Sequence, residues 1–506
     1  MCAPATAKTA LFRTRHSALH ARLLRHDSFV APTYAKQPAA RDPAAGAPPT
    51  YCKVTAVSAL LGRAGQSFLL FGMLQHSPAG ALALHDPTGD IELDLAVARP
   101  LPDAGANWFC PGMFVLVDGV YEDDGRFTVY TALSPPAERR ELSADVFGHV
   151  DFLGNGVTLD MSTAGAPAGR AMCGAEAALT GVRWVAAGEV ALDTPRTLDA
   201  LRQLLVHYAH DPPQLLVLAG NFAAVPVVAG DAGAVRAYKA GFDRLAALLE
   251  DFPDVGARTT LLLVPGDNDP WAAAFSAGAA PCWPRRGLPD AFLGRVRRAV
   301  GRPGRVRCAS NPCRLGYFAS EVVVCRDDVL GRILRSAVRF GTPSADPPAD
   351  APAEPDVMDV DPPPAVDADT ALARKLVKTV LDQGTLSPFP LAKRPIAWDF
   401  AHTLSLYPLP TAVSTPPPLS LPCPGLRMMT DGADGWPTGG AGGAGCRAVH
   451  RDLRGLPRHE PGPVSGAAAA QLAVDRIFAR AAEGTCRRGP VLMSSVDVGR
   501  LDIQCI

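Results

Sequence analysis

The spacing of hydrophobic residues between Tyr51 and about Phe152 indicates a domain made of short strands. Apolar or alternating runs are separated there by turn residues such as Asp86-Pro87-Thr88-Gly89. Alternation with a period of two is typical of strands that bury one face. The predicted strands are Phe68–Leu74, Ala81–Leu84, Ile91–Leu95, Met113–Tyr121 and Phe127–Thr131. Five short strands in about 100 residues predict a small Greek-key barrel of the OB type in residues 51–152.

After about residue 170 the pattern changes to that of an α/β domain. Apolar runs at residues 182–187, 215–219 and 260–264 are separated by segments with helical spacing, Thr194–His207 and Ala232–Asp251. This β-α-β-α-β order predicts a parallel sheet that is covered on both faces. Three further strands and two helices are predicted at Arg305–Cys308, Leu315–Phe318, Val322–Cys325, Asp327–Arg339 and Ala371–Gln383. We therefore predict one α/β domain over residues 170–413.

Four other segments differ from these two domains in composition. Residues 1–50 contain a basic segment that predicts an amphipathic helix, followed by a Pro/Ala-rich linker. We interpret this helix as lying on the next domain rather than on DNA. Residues 341–370 carry eight carboxylates, many prolines and no Lys or Arg, which predicts a disordered acidic loop. Residues 414–466 predict a disordered Pro/Gly-rich linker, and residues 467–506 a C-terminal helix with a possible edge strand.

Composition and charge exclude several classes of protein. The chain has 506 residues, of which 48% are hydrophobic, and a formal net charge of -1. Such a charge gives no global attraction to nucleic acid or to an anionic membrane. No apolar run approaches the roughly 20 residues that span a bilayer, and the first residues lack the apolar core of a signal peptide. We expect a cytosolic or nuclear protein.

Candidate chemistry lies where two of the predicted parallel strands end. The run 215–219 stops at Gly220-Asn221, and the run 260–264 leads into Pro265-Gly266-Asp267-Asn268-Asp269. Binuclear metallophosphoesterases follow such strands with Asp-x-His, Gly-Asp-x-x-Asp, Gly-Asn-His-Asp or Glu, and later Gly-His-x-His. They need these residues because two neighbouring metal ions require a bridging carboxylate and several imidazoles.

Most of those ligands are replaced in this chain. Asn221 stands at the bridging aspartate, and Asn268 replaces the histidine of the third motif. We interpret nine positions as a degenerate phosphoesterase site without metal or cofactor: Glu189, Ala191, Gly220, Asn221, Ala224, Gly266, Asp267, Asn268 and Asp269. Alternatively, Asp267 and Asp269 could hold one hard cation through oxygen ligands. The interpretation we favour is that these carboxylates cap the following loop.

Several longer motifs occur in an order that points to a known family. They are Asp86-Pro87-Thr88-Gly89, Val117-Asp118-Gly119-Val120-Tyr121-Glu122-Asp123, Ser310-Asn311-Pro312-Cys313-Arg314-Leu315-Gly316-Tyr317, Val324-Cys325-Arg326-Asp327-Asp328, Leu376-Val377-Lys378-Thr379-Val380-Leu381-Asp382-Gln383-Gly384-Thr385-Leu386-Ser387-Pro388-Phe389-Pro390 and Pro395-Ile396-Ala397-Trp398-Asp399. Over roughly residues 11–412 the chain resembles the second, or B, subunit family of DNA polymerase epsilon.

The resemblance implies an architecture and a role. It implies an OB barrel packed on a calcineurin-like metallophosphoesterase domain that has lost its catalytic ligands. Members of the family are non-catalytic, nuclear accessory subunits that hold the C-terminal region of the polymerase's catalytic subunit and meet DNA mainly through the complex. They begin with a small helical domain associated with helicase contact. This sequence starts where that domain would have ended, so the resemblance leaves a helicase contact without support here.

Two alternatives stay open at this point. The first is an active metal-dependent phosphoesterase, which a hydrolysis assay with manganese would reveal. The second is the B subunit of polymerase alpha or delta, whose families share the architecture. Identification of the co-purifying catalytic subunit would decide between these polymerases.

Overall fold

The structure, a computed structural model, describes residues 4–30, 52–100, 107–151, 171, 174–176, 178–179, 182–271, 281–318, 320–338, 368–414 and 447–450. The chain forms two compact units. The barrel unit consists of Met1–Glu138 and Val329–Pro390, and the α/β unit consists of Arg139–Asp328 and Leu391–Ile506. Each unit is described by itself below.

The described helices and strands are numbered in chain order. The helices are α1 Ala5–Arg25, α2 Arg140–Phe147, α3 Pro195–His207, α4 Ala232–Glu250, α5 Pro253–Arg258, α6 Gly294–Val300, α7 Val329–Ser336 and α8 Ala368–Gln383. The strands are β1 Val54–Thr55, β2 Ser67–His76, β3 Leu82–Asp86, β4 Gly89–Asp94, β5 Arg99–Pro100, β6 Phe114–Tyr121, β7 Phe127–Leu133, β8 Arg183–Ala187, β9 Leu215–Ala219, β10 Thr260–Val264, β11 Val306–Cys308, β12 Cys313–Tyr317, β13 Ser320–Val324, β14 Ala412–Ser414 and β15 Arg447–His450.

Five strands of the barrel unit close on themselves. The order is β2-β3-β4-β7-β6, and β6 pairs again with β2. The β4–β7 pair is parallel and the other four pairs are antiparallel. Alternate residues point inward, so that Phe68, Leu70, Val117, Phe127 and Val129 meet in one buried cluster. The predicted strands are confirmed, with ends that differ by one or two residues.

Helix α1 packs on the outside of this barrel. Its Leu19 and Leu23 are buried against Phe71 on β2 and against Phe114 and Leu116 on β6. These two leucines lie one helical turn apart and therefore share a face. The structure agrees with the interpretation of the basic segment as a helix that lies on the neighbouring domain.

Helices α7 and α8 also belong to the barrel unit, which corrects the prediction of a single α/β domain over residues 170–413. Ile333 of α7 and Val380 of α8 pack with Cys110, Met113 and Phe389. Sequence periodicity shows that a helix has an apolar face but not which neighbour covers that face. The barrel unit is thus completed by a segment that follows most of the α/β unit in the chain.

The α/β unit contains a sheet of order β11-β10-β9-β8-β15, in which β8 to β11 are parallel. Alternate residues of β9 face opposite sides, as the strand geometry requires. Leu216 and Leu218 pack against a core that includes residues of α3 and α4. Leu215 and Val217 pack on the other side against residues of the smaller sheet β12-β13-β14. Both faces are covered, as predicted.

Strand β15 contradicts the prediction of disorder throughout residues 414–466. Arg447–His450 pairs antiparallel with β8, with Val449 opposite Trp184. The parallel edge of β8 offers unpaired backbone groups to any extended segment, and Pro/Gly content nearby does not prevent a four-residue strand from using them. The prediction of an acidic loop over residues 341–370 is also wrong at its end, because residues 368–370 form the start of α8. The rest of that loop and residues 467–506 lie outside the described residues.

Candidate functional site

The candidate site forms where β8, β9 and β10 end side by side. Ala219 on β9 lies opposite Val264 on β10, so the residues that follow both strands emerge at one edge of the sheet. The two following loops cross closely at Gly220 and Gly266. A Cβ at Gly220 would lie 2.0 Å from Asp269 Oδ2, and one at Gly266 would lie 2.4 Å from Asn221 Oδ1. Only glycine fits at this crossing.

Asp269 ties the two loops together from inside. Its side chain is fully buried and accepts hydrogen bonds from Phe222 N at 2.9 Å, Tyr238 Oη at 3.0 Å and Gly266 N at 2.6 Å. Burial raises the pKa of Asp269 to about 6, although these three donors and the charge of Arg285 act in the opposite direction. Asp269 therefore holds backbone groups of the two loops in place, and the donors that bind it all precede it in the chain rather than lying in the following loop that the sequence predicted it to cap.

Asp267 is paired with a buried arginine instead of facing an open cavity. The guanidinium of Arg394 donates to both carboxylate oxygens, at 3.0 and 2.9 Å. Arg394 also lies 3.5 Å from Asp327 Oδ1 and stacks over the ring of Trp283 at 4.2 Å. Both Arg394 and Asp327 have fully buried side chains. This fork-on-carboxylate geometry is the strong form of an ion pair.

A second arginine neutralises Glu189. Arg326 forms an ion pair with Glu189, and its Nε donates to Gly220 O at 3.0 Å. Asn221 donates from Nδ2 to Glu189 Oε2 at 3.1 Å and accepts from Asn268 N at 2.8 Å. The amide of Asn221 thus bridges a carboxylate and a backbone N–H. A second carboxylate at this position would face Glu189 with like charge.

The remaining candidate positions serve the loops as backbone partners. Asn268 donates from Nδ2 to Ala223 O at 3.2 Å and to Ala224 O at 3.0 Å. The N–H of Ala224 in turn donates to Asp193. Ala191 forms a turn with Glu189, donating from its N–H to the carbonyl of Glu189 at 2.8 Å. The structure therefore brings the strand ends together. The contribution of Ala191 is a backbone hydrogen bond within a turn.

This arrangement suits a structural junction better than a metal centre. Two metal ions need several carboxylates and imidazoles aimed at a common point. Asp267 and Glu189 are instead paired with guanidinium groups, and Asp269 faces three hydrogen-bond donors. Within the described ranges no group of three or more His, Cys, Asp or Glu side chains is placed to hold a metal ion.

Sequence reasoning missed the residues that neutralise the carboxylates. Arg326 and Asp327 stand in a family motif, but the motif does not indicate what they contact. Arg394 lies 127 residues after Asp267. Arg285 donates to the backbone carbonyl of Asp269 and Tyr238 to its carboxylate, and neither residue stands out in the sequence. The available signal is that arginines stand in or beside the family motifs, whereas Ala191 and Asn268 stand where the predicted phosphoesterase motifs would carry histidine.

Two family models match separate regions of the chain. Residues 184–420 match the family described as the B subunit of DNA polymerase alpha/epsilon. Residues 5–136 match the family described as DNA polymerase epsilon subunit 2-like, OB-fold domain, which confirms that the closed barrel is an OB fold. Both matches assign regions of the chain to families described as second, or B, subunits of DNA polymerases.

Similar proteins narrow this class further. The DNA polymerase epsilon B subunit of Schizosaccharomyces pombe is 35% identical over 416 residues, which are 82% of this chain and 64% of that protein. The DNA polymerase epsilon B subunit of Saccharomyces cerevisiae is 35% identical over 381 residues, 71% of this chain and 54% of that protein. DNA polymerase epsilon subunit 2 of Homo sapiens is 28% identical over 406 residues, which are 80% of this chain and 66% of that protein.

The chain belongs to the B-subunit family of DNA polymerase epsilon. It spans less than two thirds of the length of the two yeast relatives. Among the helices that the structure describes, none is both long and apolar enough to cross a membrane.

Proposed function

We propose that the protein is a non-catalytic accessory subunit of the DNA polymerase epsilon complex, which holds the C-terminal region of the catalytic subunit during nuclear DNA replication. The names of the relatives support the assignment to this complex. The choice of the C-terminal region and of the nucleus comes from the family resemblance in the sequence.

We also propose that the α/β unit derives from a calcineurin-like phosphoesterase whose site has become a structural junction. One observation carries this proposal: the carboxylate of Asp267 is held by the buried guanidinium of Arg394. A metal ion at Asp267 would have to displace a cation that already neutralises the same oxygens. Asn221 and Asn268 further lower the number of charged ligands below what an activated water requires.

The role as an accessory protein is tested by co-expression of the chain with the C-terminal region of the polymerase epsilon catalytic subunit. We expect a complex that survives gel filtration at high salt, because obligate interfaces commonly exceed about 2,000 Å² and are largely apolar. The corresponding regions of the alpha and delta catalytic subunits serve as controls. A stable complex with either control and none with the epsilon region would overturn the proposal.

The loss of catalysis is tested separately by hydrolysis of phosphomonoesters and phosphodiesters with added manganese. We expect no turnover above that of the Asp267→Ala/Asp269→Ala variant. A manganese-dependent rate that co-purifies with the protein and disappears in this variant would show an active phosphoesterase. That result would leave the proposed partner unaffected, since the two experiments have different readouts.

A further inference from the structure

A short segment of the α/β unit concentrates positive charge. Between residues 285 and 307 the sequence has eight arginines and one acidic residue, Asp290, a formal charge of +7 in a chain of net charge -1. The arginines are Arg285, Arg286, Arg295, Arg297, Arg298, Arg302, Arg305 and Arg307. A solvated surface helix ordinarily mixes charges of both signs, so this segment requires a separate account.

Packing turns the arginines of α6 outward. Val296 and Val300 are buried in the core of the α/β unit, one turn apart on the inner face of the helix. Arg295 and Arg298, three residues apart, are exposed on the outer side. Arg295 forms an ion pair with Glu250 at 3.8 Å, and both side chains are about half exposed, so this pair adds little stability.

Residues after α6 add further exposed basic positions. Arg302 follows the end of the helix, and Arg307 lies on the edge strand β11; both are exposed. Arg297 and Arg307 line one open depression of about 440 Å³ together with Gly304 and the acidic Asp290. Within the described part of the chain, neither Arg302 nor Arg307 makes a side-chain hydrogen bond or an ion pair. Their charges are available to a ligand.

The OB barrel carries acidic rather than basic residues at the positions described next. Barrels of this fold bind single strands through a basic groove beside the loops that join their first two and last two strands. Here the β6–β7 turn carries Glu122, Asp123 and Asp124, whose nearby cation is Arg126. Strand β4 adds Asp90, Glu92 and Asp94. This surface repels phosphate.

We propose that the surface formed by Arg295, Arg298, Arg302 and Arg307, here called the arginine surface, binds the phosphate backbone of duplex DNA. Guanidinium groups suit phosphate because their planar fork matches two oxygens. Binding of single strands relies on bases stacked on aromatic rings. The exposed Trp271 instead packs edge-on against Phe292, at 5.9 Å between centroids.

The test measures binding of the full chain to a fluorescent duplex of about 30 base pairs at several salt concentrations. The Arg302→Gln/Arg307→Gln variant removes two charges that make no contact within the described fold. We expect the affinity at about 100 mM salt to fall about five- to fiftyfold. The slope of log affinity against log salt should decrease by about 1.8, since each phosphate contact contributes about 0.9.

Three variants define the specificity of this effect. Arg196→Gln/Arg202→Gln removes the same charge from exposed positions of α3 and should leave affinity unchanged. Asp290→Asn removes the carboxylate that lies 2.6 Å from Arg297 and should strengthen binding. Trp271→Ala should leave duplex binding unchanged.

Equal losses in the α3 variant and the Arg302/Arg307 variant would overturn the proposal. So would unchanged duplex binding in the latter; if that variant also loses binding to poly-glutamate, the surface suits an acidic protein instead. Loss of affinity in Trp271→Ala with a preference for single strands would also overturn the choice of duplex. Binding to the catalytic subunit is measured in parallel, so that failure here stays distinct from failure of the proposed accessory role.

Discussion

Two buried junctions of the molecule link residues that are far apart in the sequence, one through charged groups and one through a neutral amide. In the α/β unit, the charged guanidinium of Arg394 binds the carboxylates of Asp267 and Asp327. In the barrel unit, the neutral amide of Gln383 on α8 accepts from Phe114 N at 2.8 Å and donates to Phe114 O at 2.7 Å. Both side chains lie far along the sequence from their partners, 127 and 269 residues away.

The two junctions should therefore lose different amounts of stability when one partner is removed. Removal of one partner from a buried ion pair leaves an uncompensated charge, which costs more than an unsatisfied amide group. The ionic junction lies at the strand ends where we propose a former phosphoesterase site, whereas the neutral junction binds the backbone at the start of β6. We therefore expect a steep response in the α/β unit and a milder one in the barrel unit.

The largest effect is expected for Arg394→Ala. The fully buried Asp327 and the partly exposed Asp267 lose their shared cation, and the free energy of unfolding of the α/β unit should fall by about 3–5 kcal/mol. Hydrogen exchange read by mass spectrometry should show lower protection in β9 and β10, with β2 and β6 unchanged. The neighbouring Lys393→Ala, at an exposed position, is the matched control and should change stability by less than about 0.5 kcal/mol.

A compensated variant sharpens this prediction. Arg394→Met combined with Asp267→Asn and Asp327→Asn removes all three charges, and it should recover part of the lost stability because no charge stays unpaired. If Arg394→Ala costs less than about 1 kcal/mol, the junction is not ionic in energetic terms and the comparison fails.

A smaller effect is expected for Gln383→Ala in the barrel unit. Phe114 N and O lose their side-chain partner, and the loss should be about 2 kcal/mol, detected as faster exchange in β6. Gln383→Glu should cost more than Gln383→Ala at neutral pH, because its buried carboxylate accepts from Phe114 N but faces Phe114 O without a compensating cation. Arg374→Ala on the exposed side of α8 should be neutral. Faster exchange confined to the α/β unit would contradict the assignment of α8.

The pH dependence of the α/β unit should reflect Asp269. Its folded-state pKa, raised to about 6 by burial, exceeds the ordinary value of 3.8, so the folded form binds more protons between these values. The resulting stabilisation is complete below about pH 3.8 and is lost as pH rises through about 6. By linkage it should fall by about 1.3 kcal/mol between about pH 5 and pH 7.

Asp269→Asn isolates this contribution. The asparagine does not titrate, so the difference in unfolding free energy between wild type and variant should change by that amount over the same pH range. The variant should also be less stable at neutral pH, because its amide N–H₂ faces one of three donors that bind Asp269. A difference that is independent of pH would exclude Asp269 as the titrating group.

The smallest effect is expected for Lys378→Ala. Lys378 lies 2.6 Å from Asp382 along α8, and its side chain is 41% exposed. Such a pair contributes about 0.5 kcal/mol or less. Asp382 keeps hydrogen bonds from Asn107 at 2.7 Å and from Ala137 N at 3.0 Å. A loss of about 2 kcal/mol or more in thermal or urea unfolding would show that the barrel junction depends on charge after all, as a buried pair does.

The sequence predicted the strands well because their signal is local. The residues of β9 and β10 alternate between two buried faces, and each run ends at a glycine or just before one. Since parallel neighbours end at one edge, the meeting of Asn221 with Asn268 also followed from order and spacing. These parts of the fold and site needed no knowledge of distant contacts.

Partners chosen over long distances could not be predicted. The match between Arg394 and Asp267 depends on how a loop after α8 returns to the sheet, which no periodicity records. The partners of α8 could not be predicted either, although the polar residues Thr379, Asp382 and Gln383 indicate that the end of this helix makes polar contacts. All three are polar and buried near the end of the helix. Strand β15 was missed because four residues carry too little pattern to distinguish them from the Pro/Gly-rich stretch around them.

The division of the barrel unit between two parts of the chain has a consequence during synthesis on the ribosome. Strand β6 emerges early, but Gln383, which satisfies Phe114, follows 269 residues later. At ordinary translation rates of about 5–20 residues per second, this delay is about 13 to 54 s. For that time the barrel leaves Phe114 N and O without Gln383 and exposes the apolar site for α7 and α8. A nascent chain in this state is a natural substrate for chaperones, and slower translation should increase its demand for them.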